Sequence, residues 1–192
     1  MNLRSDEALI RLREGNARFA EERSSARFSA EHRAAVVGGQ RPWAVIVGCS
    51  DSRVPVEAVF DVGVGELFVV RNAGHVVDDA GLASIRFAIE GLGARTIVVL
   101  GHEECGAVSA ALAGSTPAWL APVIDRIDVK GVDSSNAPAD AENPLLAAAV
   151  DRHVENTVLE LKRRLASHRE HENPTVVGAA YNLSSGLVRW LN

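Results

Sequence analysis

Cysteine is scarce in this chain: its 192 residues include two, Cys49 and Cys105. Two thiols are too few for the disulfide framework of a small secreted domain. In a cytosolic chain such a pair points instead to metal binding or catalysis. No apolar run approaches the roughly 18 residues that a membrane span needs. The opening residues, Met1 to Glu7, lack the apolar stretch of a secretory signal. The expected location is therefore the cytoplasm, with no membrane partner. No basic stripe interleaved with aromatics occurs, and the net charge is −5, so nucleic acid is not expected as a partner. The basic cluster Lys162-Arg163-Arg164 reads as the solvated face of a helix. No Gly-x-Gly-x-x-Gly follows the first apolar run and no phosphate-binding Gly-x-x-x-x-Gly-Lys-Ser/Thr occurs, which sets aside a nucleotide-binding reading.

What is present is 47% hydrophobic and 23% charged residues. That is the balance of a soluble globular protein. The length suits one domain with a sizeable core. Ala44-Val45-Ile46-Val47, Leu67-Phe68-Val69-Val70 and Thr96-Ile97-Val98-Val99-Leu100 are short continuous apolar runs. Such runs are the signature of parallel strands buried on both faces. Thr175 to Tyr181 is a fourth strand. Leu183-Ser184-Ser185-Gly186 is a turn and Leu187 to Leu191 a final strand, giving one antiparallel edge. Helices are expected over 6–22, capped by Ser5 with Leu9, Leu12 and Phe19 on one face and Gly15 weakening the middle, and over 79–92 with Leu82, Ile85 and Ile89. Another starts near Gly106 and runs through Ala113. After a loop over 129–144, Leu146, Val150, Val154, Val158, Leu161 and Leu165 mark a long amphipathic helix. The fold class is α/β: a mostly parallel central sheet with an antiparallel C-terminal edge strand, flanking helices and an N-terminal helical arm. It forms one domain over 1–192, with the arm at 1–40 and the core at 41–192.

Two strand ends carry unusual residues. Cys49-Ser50-Asp51-Ser52-Arg53-Val54-Pro55 follows the first strand, and Gly101-His102-Glu103-Glu104-Cys105-Gly106 follows the third. In open α/β sheets, sites lie beyond the carboxyl ends of strands. The two segments together offer two thiolates, an imidazole and a carboxylate, the donor set of a tetrahedral zinc site. Donor type alone admits copper or iron; two thiolates with an imidazole favour zinc. A closed zinc site that only braces the fold is the plain alternative. Against it stands Arg53, two residues after Asp51: a carboxylate that leaves the metal can pair with that guanidinium. With Asp51 on the metal the fourth position is filled. With Asp51 on Arg53 it opens to water, which zinc makes acidic enough to supply hydroxide near neutral pH. Two thiolates donate more charge than imidazoles do, so activity is expected to rise on the alkaline side.

At these residues the sequence resembles the β-class carbonic anhydrases, in its plant-like branch. The two motifs carry the resemblance, together with Gly39-Gln40-Arg41-Pro42, the stretch Gly65 to Gly74 and the final strand pair. The resemblance implies reversible hydration of carbon dioxide to bicarbonate and a proton, by attack of hydroxide generated at zinc. It implies one zinc per chain on Cys49, His102 and Cys105, with Asp51 as exchangeable fourth ligand and Arg53 as its partner. Gln40 would hydrogen-bond substrate across a subunit interface, and Phe68 and Phe87 would wall an apolar carbon dioxide pocket. A homodimer or homotetramer is implied, with the N-terminal helix embracing the neighbour. Some bacterial members have a regulatory bicarbonate site that needs a tryptophan three residues before the first cysteine. That position is Ile46 here, with Trp43 out of register, so this regulation is not expected. Arg71 and Tyr181 resemble other parts of that site, and a structural role is expected for Arg71. His75 is a candidate proton shuttle, while His32, His153, His168 and His171 read as surface residues. A carbon disulfide hydrolase and a non-catalytic zinc module are the alternative functions on the same fold.

Overall fold

The computed structural model describes residues 3–25, 27–114, 116–139, 141–166 and 173–191. Five strands form one sheet: β1 (Ala44–Cys49), β2 (Leu67–Asn72), β3 (Thr96–His102), β4 (Thr175–Tyr181) and β5 (Val188–Leu191). Their order is β2-β1-β3-β4-β5, parallel throughout except for the antiparallel β4–β5 pair. The helices are α1 (Ser5–Ala20), α2 (Ala30–Ala35), α3 (Val56–Val59), α4 (Asp79–Arg86), α5 (Gly106–Ala113), α6 (Ala121–Ile124) and α7 (Pro144–Ala166). No helix among the described residues is long and apolar enough to cross a membrane.

Side chains alternate across a strand, so each central strand feeds two cores. Val45, Val47, Ile97 and Val99 face one core, shared with Ile85 of α4, Val108 of α5 and the stripe Leu146, Val150, Val154, Val158 and Leu161 of α7. Ala44, Ile46, Val98 and Leu100 face the other, shared with Ala8 and Leu12 of α1 and Val56 and Val59 of α3. β1 and β3 are buried along their whole length, as continuous apolar runs require. β2 is only half-buried, contrary to its sequence pattern, because it is an outer strand of the sheet with no strand beyond it among the described residues.

The first helix departs from expectation at its start. It takes in Ser5 and places Arg4 at the cap, with Glu7 accepting the Arg4 N–H at 3.1 Å. Ser5 Oγ instead donates to the Arg95 carbonyl at 3.1 Å, tying the helix to the turn before β3. Its buried face is Ala8, Leu12, Gly15 and Asn16. Gly15 is there for closeness: a Cβ at this position would lie 1.9 Å from the Phe60 carbonyl oxygen. Asn16 beside it donates to the carbonyls of Val59 (3.1 Å) and Gly186 (2.8 Å) and accepts the Val188 N–H (2.8 Å). This one side chain joins α1, the end of α3 and the β4–β5 turn. The expected helix over 79–92 is α4 followed by a π-helical turn at Phe87–Gly91. That widening keeps Ile85, Ala88 and Ile89 buried and turns Phe87 outward.

Candidate metal centre

β2 and β3 flank β1 on opposite sides, so the chain order reverses at β1. A crevice opens at the carboxyl ends of strands on either side of such a switch point. Cys49 closes β1 and His102 closes β3 at that crevice. The segment after β1 is held by Arg71, whose Nε donates to the Cys49 carbonyl (2.7 Å) and whose Nη2 donates to the Asp51 carbonyl (2.8 Å). After β3 the backbone turns through Glu104 at φ +51 and enters α5 with Cys105 at its cap. A non-glycine residue in that region costs about 1–3 kcal/mol, and the turn brings His102 and Cys105 to one point. Glu103 is structural: its carboxylate accepts Asn182 Nδ2 (2.8 Å) and the Leu183 N–H (3.2 Å).

The ligating atoms of Cys49, His102 and Cys105 all lie within 4.8 Å of one another, and all three residues are buried. His102 Nδ1 donates to the Glu103 carbonyl at 2.7 Å. With that nitrogen protonated, Nε2 is left as an unprotonated lone pair. That Nε2 is buried and has no hydrogen-bond partner among the described residues. Cys49 ionises well below the usual thiol range, chiefly because Cys105 donates a hydrogen bond to it, and the Gly74 N–H (3.3 Å) adds to this against the opposing effect of burial. The same hydrogen bond and burial hold Cys105 protonated. Two buried cysteine sulfurs converging on an imidazole nitrogen that has no partner among the described residues fit a zinc-like dication, which would satisfy the ring nitrogen and take both sulfurs as donors.

Asp51 sits next to this triad. Its Oδ2 is 3.9 Å from His102 Nε2 and accepts Arg53 Nη2 at 2.7 Å, while Oδ1 accepts Arg53 Nε and the Arg53 N–H, each at 2.9 Å. The Arg53 side-chain hydrogen bonds hold the Asp51 carboxyl well below the usual carboxylate range. Arg53 also donates to the Glu104 carbonyl at 3.2 Å, bridging the two motif segments.

The remaining expected residues fall in three places. Phe68 and Phe87 meet with ring centroids 6.2 Å apart at 52°, on the outer-strand side of the sheet, with Phe87 55% exposed. Gln40 is exposed and precedes the amino end of β1, whereas Cys49 lies at the carboxyl end. The whole length of the extended strand separates the two. Gln40 therefore does not join the triad within one chain. His75 is buried and stacked on His153 with centroids 4.3 Å apart, and neither of its ring nitrogens has a hydrogen-bond partner among the described residues. Burial lowers its pKa well below the ordinary value. It therefore stays neutral and out of contact with solvent, unlike a shuttle. His153, read from sequence as a surface residue, is buried too: Val150, Val154 and Thr157 on α7 are its buried neighbours, and its Nε2 donates to the Gly74 carbonyl at 2.7 Å. A charge-rich helix pattern around it hid that placement. His32 is exposed as expected, and His168 and His171 lie outside the described residues.

Comparison with known proteins agrees with this geometry. The sequence model of the family described as carbonic anhydrase matches residues 44–188. Carbonic anhydrase 2 of Mycobacterium tuberculosis is 40% identical over 188 residues, covering 91% of this chain and 87% of that protein. The carbonic anhydrase of Mycolicibacterium smegmatis is 38% identical over 186 residues, covering 92% and 88%. Among solved structures, the Coccomyxa β-carbonic anhydrase in complex with acetazolamide matches with a TM-score of 0.68 at 27% identity, over 93% of this chain and 83% of that one. A tetrameric β-carbonic anhydrase of Sordaria macrospora matches with a TM-score of 0.69 at 25% identity, over 97% and 96%. The family match across most of the chain, the close mycobacterial relatives and the buried Cys-His-Cys triad at the switch point lead to one conclusion: the chain belongs to the β-class carbonic anhydrase family.

Proposed function

We propose that the carbonic anhydrase reaction of this chain depends on one zinc ion per chain, held by Cys49, His102 and Cys105, with Asp51 and Arg53 controlling access to the fourth position. Zinc bound there supplies a Lewis acid that brings the pKa of water down toward neutrality, so that hydroxide is available to attack carbon dioxide. The observation that carries the reading is the convergence of the Cys49, His102 and Cys105 ligating atoms within 4.8 Å, with His102 Nε2 unpartnered among the described residues and Asp51 drawn aside by Arg53. Cys49, His102 and Cys105 would hold the ion with three donors, and Asp51 would stay off it for as long as Arg53 keeps the carboxylate. An ionised Asp51 is an acceptor only, so it orients a hydroxyl or water proton near the triad and cannot donate one. Asp51 lies 3.9 Å from His102 Nε2, near enough for a modest rotation to bring it in as a fourth ligand. That movement would close the site.

Phe68 and Phe87 serve as an apolar wall suited to a nonpolar gas. Gln40, out of reach of its own triad, serves a neighbour's site and orients the polar product there. The assembly is accordingly a homodimer or a homotetramer; the Sordaria relative is described as tetrameric. Gln40, and Ile46 in place of a tryptophan, favour the plant-like branch, and the cytoplasm is the place of action.

The test is to strip the metal with a chelator, confirm its loss, and measure carbon dioxide hydration before and after adding back one equivalent of zinc. Hydration that vanishes and returns with zinc supports the reading. Zinc at one per chain without hydration above buffer contradicts it, and turnover of carbon disulfide in the same sample would redirect it to that substrate.

A further inference from the structure

We infer that His153 is a positioning residue for the metal centre, acting through the Gly74 peptide to hold an N–H donor on the Cys49 sulfur. The inference rests on the reading of Cys49 as a metal ligand. Both polar groups of Gly74 are used, in opposite directions: its N–H lies 3.3 Å from Cys49 Sγ, and its carbonyl accepts His153 Nε2 at 2.7 Å. A carbonyl only accepts, so Nε2 carries the proton. His153 is 2% exposed on the inward face of α7.

The Gly74 turn needs holding. Gly74 has φ +66, and a Cβ there would meet Ile127 Cδ1 at 2.9 Å and Ala107 Cβ at 3.0 Å. His75 follows at φ +45. That is a left-handed conformation, which disfavours any side chain. Asn72 Nδ2 donates to the Val76 carbonyl at 2.6 Å, which fixes the far end of this turn and does not touch the Gly74 carbonyl. His153 holds the turn at two points, by the hydrogen bond to the Gly74 carbonyl and by the contact of its ring with the His75 ring, centroids 4.3 Å apart at 30°. The consequence is electronic. A hydrogen bond to a metal thiolate withdraws charge from sulfur, so the metal receives less and remains the stronger Lewis acid. In a site with two thiolates this matters more than in a three-histidine site, because sulfur donation opposes the acidity that hydration needs.

The experiment compares wild type with His153→Leu, His153→Asn and His153→Gln. The amide of Gln reaches about where Nε2 sits and that of Asn about where Nδ1 sits, so the two differ in reach more than in polarity. Zinc affinity is measured by chelator competition, and the thiolate-to-cobalt charge-transfer band is recorded on cobalt(II)-loaded protein. His153→Leu and His153→Asn are expected to hold zinc about 10- to 100-fold more weakly, because the turn no longer fixes the Cys49 sulfur in place, and to move the band to lower energy, because that sulfur donates more, with His153→Gln close to wild type in both. If Leu does not fold, the Asn–Gln pair carries the comparison. Equal affinity and band position across the folded variants, with only thermal stability lowered, would overturn the inference and make His153 a packing residue. A wild-type protein that binds neither metal would overturn the metal reading, and this inference with it; that result is read before any variant is made.

Discussion

Replacing Gly15 by alanine separates a local from a tertiary account of the first helix. On propensity alone the substitution stabilises, since glycine inside a helix costs about 1 kcal/mol relative to alanine. The packing reverses the sign. The new Cβ would lie 1.9 Å from the Phe60 carbonyl oxygen, where ordinary contact begins near 3.4 Å, so α1 must retreat. Overpacking of this kind costs about 1–3 kcal/mol. The retreat also stretches the three hydrogen bonds of Asn16, now 2.8–3.1 Å long. Each of these is worth about 1 kcal/mol. The net expectation is a loss of about 2–4 kcal/mol, or roughly 5–15 °C in the melting temperature of a domain this size. Urea unfolding of the zinc-loaded protein, at matched protein and metal concentration, measures it directly. A Gly15→Ala protein as stable as wild type, or more so, would refute the seating of α1 on Phe60. It would mean that the helix lies away from its own core, as an arm free to wrap a neighbour would.

Asp61 is buried, and although burial raises its pKa, hydrogen bonds from Arg18 (2.6 Å) and the Ser25 N–H (2.8 Å) outweigh that and lower it. Its ionised form therefore stabilises the fold above the unfolded value near pH 4, and that contribution is lost as pH falls through the folded value. Asp61→Asn should unfold about 1.5–3 kcal/mol more easily than wild type at neutral pH, with the gap narrowing below about pH 4; a gap unchanged with pH would contradict this. Cys105→Ser, which removes one of three donors, should bind zinc far below one equivalent per chain by elemental analysis while keeping its helical circular dichroism. Full zinc occupancy in that variant would remove Cys105 from the site. Co-expressing Cys49→Ser with Gln40→Ala should restore roughly a quarter of wild-type hydration, since half the dimers are mixed and one of their two sites is intact. Activity no higher than the mean of the two single variants would show that Gln40 does not serve a neighbour.

Much of the architecture is legible in the chain because its signals are local. β1 and β3 are runs of β-branched residues with no polar interruption, α7 repeats its apolar residues every three or four positions, and α5 begins at the glycine after Cys105. The metal triad is legible for a different reason: few other roles suit a buried Cys, His and Cys at two strand ends. What the pattern hid depends on neighbours distant in sequence. β2 reads like β1 but is half-exposed, because burial follows from strand order, which no run of residues specifies. Asn16 carries no local signal of its role, because its partners are 43 to 172 residues away. His153 reads as a surface residue in a charged helix until the Gly74 turn is placed against it.

The most direct measurement is stopped-flow carbon dioxide hydration across about pH 6.5 to 9, on wild type and Asp51→Ala at equal, verified zinc content. The account predicts wild-type hydration that depends on zinc and climbs toward alkaline pH, because two thiolates make the water less acidic than imidazoles would. Asp51→Ala should keep its zinc and lose most of that rate, because the acceptor paired with Arg53 is gone. A wild-type profile flat with pH, or an Asp51→Ala protein as fast as wild type throughout, would contradict the assignment of this triad and its carboxylate–guanidinium gate.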